Sequence, residues 1–189
     1  MSDAASAPKL ITLQKITVNY VAEDDRLKLT AAAHQDQTVI YWLTRRMLGV
    51  LLTPMFEWLN KRVENSFGGI GEGSWQLRSQ ETKLTMASNA AQAKMHREEP
   101  VIASAESIEQ ILKSVDVRAE KDRFLILLPI DDTHRGVIPF EQDTLLQWLG
   151  IIYRVQHDAD WRLPQWPSWF IDNQTQTKQA IQSAQTALH

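Results

Sequence analysis

The chain of 189 residues contains no cysteine. That single absence excludes disulfides, thiolate nucleophiles and Cys-based zinc sites. It also lacks an excess of either charge: 20 Lys and Arg stand against 23 Asp and Glu, a formal charge of -3. Such a surface has no global basic field, so bulk attraction to nucleic acid is not implied and only a local patch would serve. The longest apolar stretch, Met47 to Leu59, is too short and too interrupted to cross a bilayer. The opening MSDAASAPKL has no basic start followed by an apolar run, so it does not read as a secretory signal. A soluble, cytoplasmic protein is expected.

Catalytic signatures are missing as well. Gly68, Gly69, Gly71 and Gly73 follow a helical pattern rather than a strand, and no Gly-Lys-Ser/Thr closes the loop. They fit neither a dinucleotide fingerprint nor a P-loop. No Gly-x-Ser-x-Gly occurs, and nothing positions a nucleophilic Ser with a His and an Asp. His34 and His134 sit near Asp36, Asp131 and Asp132, and a second cluster reads His157-Asp158-Ala159-Asp160. Neither has helical metal-ligand spacing, and both read as solvated turn residues. No metal, no cofactor and no catalytic residue is assigned; the expectation is a non-enzyme.

What is present is an ordinary globular balance, with 43% apolar and 23% charged residues. The length suits one domain or two small intimate ones. From Leu10 to Val21 the chain alternates, with Ile16, Val18 and Tyr20 on one face, which predicts a strand. A polar turn at Ala22-Glu23-Asp24-Asp25 leads into a second alternating run, Arg26 to Thr30. A turn at His34 to Gln37 precedes a third strand, Thr38 to Leu43. Then Met47, Leu48, Leu51, Leu52, Phe56 and Leu59 recur at three and four, which is a helix. Thr44 is placed to cap it, and Pro54 is expected to kink or interrupt it.

The phrase YVAEDDRLKL, starting at Tyr20, returns 97 positions later as VRAEKDRFLI, starting at Val117. At that spacing Val18/Val115, Ala22/Ala119, Glu23/Glu120, Asp25/Asp122, Arg26/Arg123, Leu48/Leu145 and Leu52/Leu149 are identical. The strands, turns and helix fall into step as well. The alternative is two antiparallel hairpins that arrived separately at a charged turn. Duplication predicts an α+β fold of two repeated β-β-β-α units, mostly antiparallel, around a shared core. The first unit spans 10–65 and the second 108–158. Between them, 66–107 is a Gly-rich loop and a polar connector that reads equally as linker or helix. After them, 159–189 is a Trp/Pro-rich segment with a polar tail, either a weak helix or disordered. Phe124 to Leu128 has no polar face and reads as covered on both sides. Lys28 and Thr30 make the first sheet look more exposed. At the turns, Asp and the following Arg read as a structural salt bridge.

ITVNYVAEDDRLKL followed by VIYWLTRRMLGVLL resembles a family of uncharacterised proteobacterial proteins, through the E-D-x-R-L hairpin and the W-L-T-R-R junction. The likeness lies mainly in residues 10–60. It implies a bacterial source and no particular chemistry.

Two surfaces attract a functional reading. Thr44-Arg45-Arg46 opens a helix, where cations are disfavoured by the dipole, so N–H groups and two Arg make a natural anion pocket. Its ligand would be a phosphate, a nucleic-acid backbone or a partner's carboxylate. The plainer reading pairs the arginines with Glu23 or Asp24. The equivalent place in the second unit is Glu141-Gln142-Asp143, of opposite charge, which suggests contact between copies. Lys61 and Arg62, at the far end of the helix, would act with Arg45 and Arg46 only on an extended ligand. The second surface is the run holding Trp161, Trp166, Trp169 and Phe170, in a chain with seven Trp. Exposed, these would anchor an interface; the alternative is a lid that wraps back over the core. The expected function is a non-enzymatic protein-interaction or assembly module of a bacterial complex, self-associating or bound to a protein partner. The alternative is an anion- or nucleic-acid-binding module built on Thr44-Arg45-Arg46.

Overall fold

The alternation that begins at Leu10 does not run through as one strand. In the computed structural model, which describes residues 8–33, 37–66, 74–96 and 98–186, it breaks at Leu13-Gln14 into β1 (Lys9–Thr12) and β2 (Lys15–Val21). The two lie in different sheets. The cause is a change of phase. Ile11 and Leu13 face the core, and the next inward residues are Ile16, Val18 and Tyr20. A step of three between Leu13 and Ile16 cannot stay on one face of a period-two strand.

The remaining elements are β3 (Arg26–Ala32), β4 (Thr38–Thr44), α1 (Arg45–Ser66), α2 (Ser74–Ala93) and β5 (Ile108–Ile111), then β6 (Asp116–Ala119), β7 (Phe124–Pro129), β8 (His134–Phe140), α3 (Gln142–Asp158) and α4 (Ser168–Thr186). The fold is α+β, with two four-stranded sheets ordered β2-β3-β4-β5 and β1-β8-β7-β6. Each holds three antiparallel strands consecutive in sequence, not three alone as the pattern suggested. The fourth strand comes from the other half of the chain and runs parallel: β5 along β4, and β1 along β8.

Several pairings coincide at the spacing of 97. Leu27 faces Leu43 and Phe124 faces Phe140; Val39 faces Ile108 and Gly136 faces Ile11. The first hairpin departs from it. Tyr20 faces Leu27, whereas Ala119 faces Phe124, so the leading strands correspond at 99 when the second strands are held at 97. The identities Val18/Val115 and Ala22/Ala119 therefore do not mark equivalent places, and Val115 lies outside β6.

Helix α1 runs unbroken through Pro54. The proline removes one ladder bond, that of the Val50 carbonyl, and Val50 is 55% exposed, a position where a carbonyl can be solvated. Each helix that follows a sheet reaches across to the other. On α1, Trp58 donates its Nε1 to the Glu120 carbonyl at 2.7 Å and packs on Phe124. Meanwhile α3 lies on β2. The connector is helical as α2, docked on α3 by Gln92 Nε2 to the Leu146 carbonyl (3.2 Å) and Gln147 Nε2 to the Ala91 carbonyl (2.8 Å). The C-terminal segment is helical too: α4 begins on Phe56 of α1 through Trp169 and Phe170, and Asn173 donates to Ser88 of α2 at 3.3 Å.

Strand β7 is covered on both faces, with Ile126 and Leu127 both buried. The first sheet is no barer. On β3, Thr30 is buried beside Leu29 and Ala31, while Lys28 reaches outward over the Trp42 ring. Among the described residues no helix is long and apolar enough to cross a membrane.

Candidate anion-binding groove

The strand-to-helix junction at β4 and α1 is built as its sequence suggests. Thr44 closes β4, and its Oγ1 accepts the Met47 N–H at 3.3 Å, one of the donors a helix start leaves open. Met47 and Leu48 turn inward, which leaves Arg45 and Arg46 exposed.

The opposite wall comes from the stretch after α3. Asp160 adopts a left-handed φ of 50°, its N–H bonding the His157 carbonyl at 3.0 Å. Trp161 then turns inward: its N–H reaches the Gln156 carbonyl at 3.0 Å and its Nε1 donates to Asp25 Oδ1 at 2.7 Å. Asp25, left-handed at φ 48°, also accepts the Tyr20 hydroxyl at 3.0 Å. These bonds, Trp161's first, hold the Asp25 carboxyl below its ordinary value, with the nearby Arg45 charge helping. The Tyr20 hydroxyl is pushed up, chiefly by its bond to Asp25. So anchored, residue 162 offers its carbonyl to Arg45, whose guanidinium donates at 3.0 Å.

The result is an open groove of about 620 Å³ between the start of α1 and residues 162–165. Arg45, Arg46 and Arg162 line it; Val50 and Leu163 supply an apolar floor, and Gln165 lies against Gly49. Among the described residues no carboxylate lines it. Arg162 lies 3.7 Å from Asp160, but both are almost fully exposed, so the pair is worth little. A second cleft of about 640 Å³ beside β2 mixes Lys15 and Lys94 with Glu98 and Glu99, and so has no preference for one sign.

The other residues singled out from sequence fall elsewhere. Lys61 is exposed on α1, about 24 Å from Arg45 at the rise of a helix. Arg62 is engaged inside the fold: it donates to the Lys121 carbonyl, to Gln142 Oε1 at 3.2 Å and to Asp122 at 3.3 Å, and it covers the Trp58 ring. Arg45 pairs with a carbonyl rather than with Glu23 or Asp24. The turn aspartates take partners other than the following Arg: Asp25 holds Trp161 and Tyr20, and Asp122 holds Arg62. At the start of α3, Gln142 meets Arg62 and Asp143 meets Lys94 at 2.8 Å.

Trp161, Trp166, Trp169 and Phe170 are all buried against this chain's own core. Phe56 and Tyr153 each meet Trp166 and Phe170 edge to face, and Trp166 stacks on Phe170. The segment lies over the core as a lid, and its rings are not free to anchor a partner. Its charged contribution to the surface is Arg162, which sequence reasoning passed over. The one local hint is that Trp161 turns inward, which leaves the adjacent Arg162 facing out. His134 Nδ1 lies 3.0 Å from Asp131, while His34 and Asp36 fall outside the described residues. Gly68, Gly69, Gly71 and Gly73 also fall outside them. Among the described residues no group of three or more His, Asp or Glu could hold a metal.

Comparison with protein-family models, with curated proteins and with solved structures finds no match for this chain.

Proposed function

We propose that the chain is a non-enzymatic interaction module that receives an anionic surface of a protein partner in the groove at the start of α1. One observation carries this. Arg45 and Arg162, 117 positions apart in sequence, converge with Arg46 on one open groove that, among the described residues, no carboxylate lines. Guanidinium groups left exposed in a concave site favour a ligand with planar oxygen pairs. The same reading takes the coinciding registers as a duplicated unit and sets the module in a cytoplasmic complex, in the bacterial source that the resemblance at residues 10–60 implies. Self-association belongs to it as well, since a second copy is one protein able to present carboxylates. The start of α3 does not favour that pairing, because Gln142 and Asp143 already hold partners within the chain.

The test uses two generic probes, a poly-glutamate peptide and an oligothymidylate of equal charge, titrated at low and moderate salt. At least one binds at low salt and weakens as salt rises, and the variant with Arg45→Ala and Arg46→Ala loses about tenfold or more. If neither probe binds, or the double variant binds as well as the native chain, the proposal fails.

A further inference from the structure

Resting on the groove reading above, we infer that its occupant is an extended polypeptide segment that alternates carboxylates with aliphatic side chains. Three features of the groove select this chemistry over a nucleic acid. The first is the floor. Val50 is 55% exposed there and Leu163 lies beside it, so the arginines surround apolar surface that an aliphatic side chain would cover. Among the described residues no aromatic ring lines the groove. Nucleobases bind such channels by stacking on rings, and the nearby candidates, Trp161 and Trp166, are buried.

The second feature is a pair of acceptors in the wall. Pro54 has no N–H, so the Val50 carbonyl lacks its helical donor. Gln165 lines the groove as well, and its buried Oε1 has no hydrogen-bond partner among the described residues. A site with arginine donors and waiting acceptors suits a ligand that offers both carboxylates and N–H groups. A peptide backbone offers N–H groups; a phosphodiester chain offers acceptors alone.

The third feature is the lack of a track. A nucleic-acid strand needs cations along its length. Arg62 is occupied by Lys121, Gln142 and Asp122, and Lys61 is about 24 Å from Arg45 by helix rise.

The experiment compares four probes by fluorescence anisotropy or competition with it: acetyl-Glu-Leu-Glu-Leu-Glu-amide, the same peptide with Ala for Leu, an oligothymidylate of equal charge, and inorganic phosphate. The Leu-bearing peptide binds about tenfold or more tightly than each of the others. Val50→Ser, at an exposed position that leaves the fold intact, removes that advantage while the Ala peptide is unaffected. If the Leu and Ala peptides bind equally and both are lost with Arg45→Ala and Arg46→Ala, the groove reading stands and this inference falls. If the oligonucleotide or phosphate binds as tightly as the Leu peptide, the inference falls in favour of a phosphate ligand. If no probe binds, both readings fall.

Discussion

At the residue scale, the junction of the two sheets turns on Tyr41 and Gly136. Tyr41 is fully buried on β4, and its hydroxyl has no hydrogen-bond partner among the described residues. Burial alone pushes that hydroxyl's pKa up. Gly136 on β8 makes room for it: a Cβ there would stand 3.0 Å from the Tyr41 hydroxyl and 2.8 Å from Leu13. Both neighbours are packed in the core, so neither yields cheaply. Gly136→Ala is expected to cost about 1–3 kcal/mol through overpacking. Tyr41→Phe removes a polar group with nothing to lose and leaves stability unchanged or raises it by up to about 1 kcal/mol. Denaturant unfolding measures both. A marked loss on Tyr41→Phe would mean that the hydroxyl has a partner after all.

At the element scale, the β7–β8 turn is held by one carboxylate. Asp131 accepts from the Thr133 N–H at 2.7 Å, the Thr133 hydroxyl at 2.8 Å and the His134 N–H at 2.8 Å. These bonds, the Thr133 hydroxyl's first, pull its pKa from 3.8 down to about 2. A depressed native value gives stability that is present above the ordinary value and fades as pH falls through the native one. Asp131→Asn is therefore expected to lower the melting temperature at neutral pH, with the difference from native closing between about pH 4 and below pH 2. A gap that stays constant down to acid pH would show that the charge is not what matters. Helix α1 teaches a complementary lesson. Its period was plain in sequence, yet Pro54 does not break it, because the freed carbonyl belongs to a residue at the exposed face.

At the scale of the whole molecule, the halves are interlocked. Strand β1 completes the sheet made by the end of the chain, β5 completes the sheet made by its beginning, and Trp58 and Arg62 of α1 secure the β6–β7 turn. At the other end, Trp161 secures the β2–β3 turn through Asp25. Neither sheet keeps its edge strand or its turn anchor when the other half is lost. Unfolding should thus be a single transition in which calorimetric and van't Hoff enthalpies agree. Two separable transitions, or one sheet keeping its amide protection while the other exchanges, would contradict the interlock. The arginine groove depends on the same long-range closure, since one wall follows β4 and the other follows α3.

The sequence by itself determined what is local. Alternation predicted β3, an apolar aromatic run predicted β4, and the repeat at 97 carried those strands over to β7 and β8; the three-and-four period gave α1 and α3; Thr44 announced its cap, and the absence of cysteine closed off thiolate chemistry. It also contained, unread, the step from Leu13 to Ile16 that divides the leading strand. Only tertiary structure decided which sheet each divided strand joins, because a parallel partner is chosen by edges far away in sequence. It likewise decided that Arg62 is spent inside the fold while Arg162 is left at the surface. The fate of each arginine is set by what the rest of the chain brings against it: the β6–β7 turn and α3 against Arg62, an open groove beside Arg162.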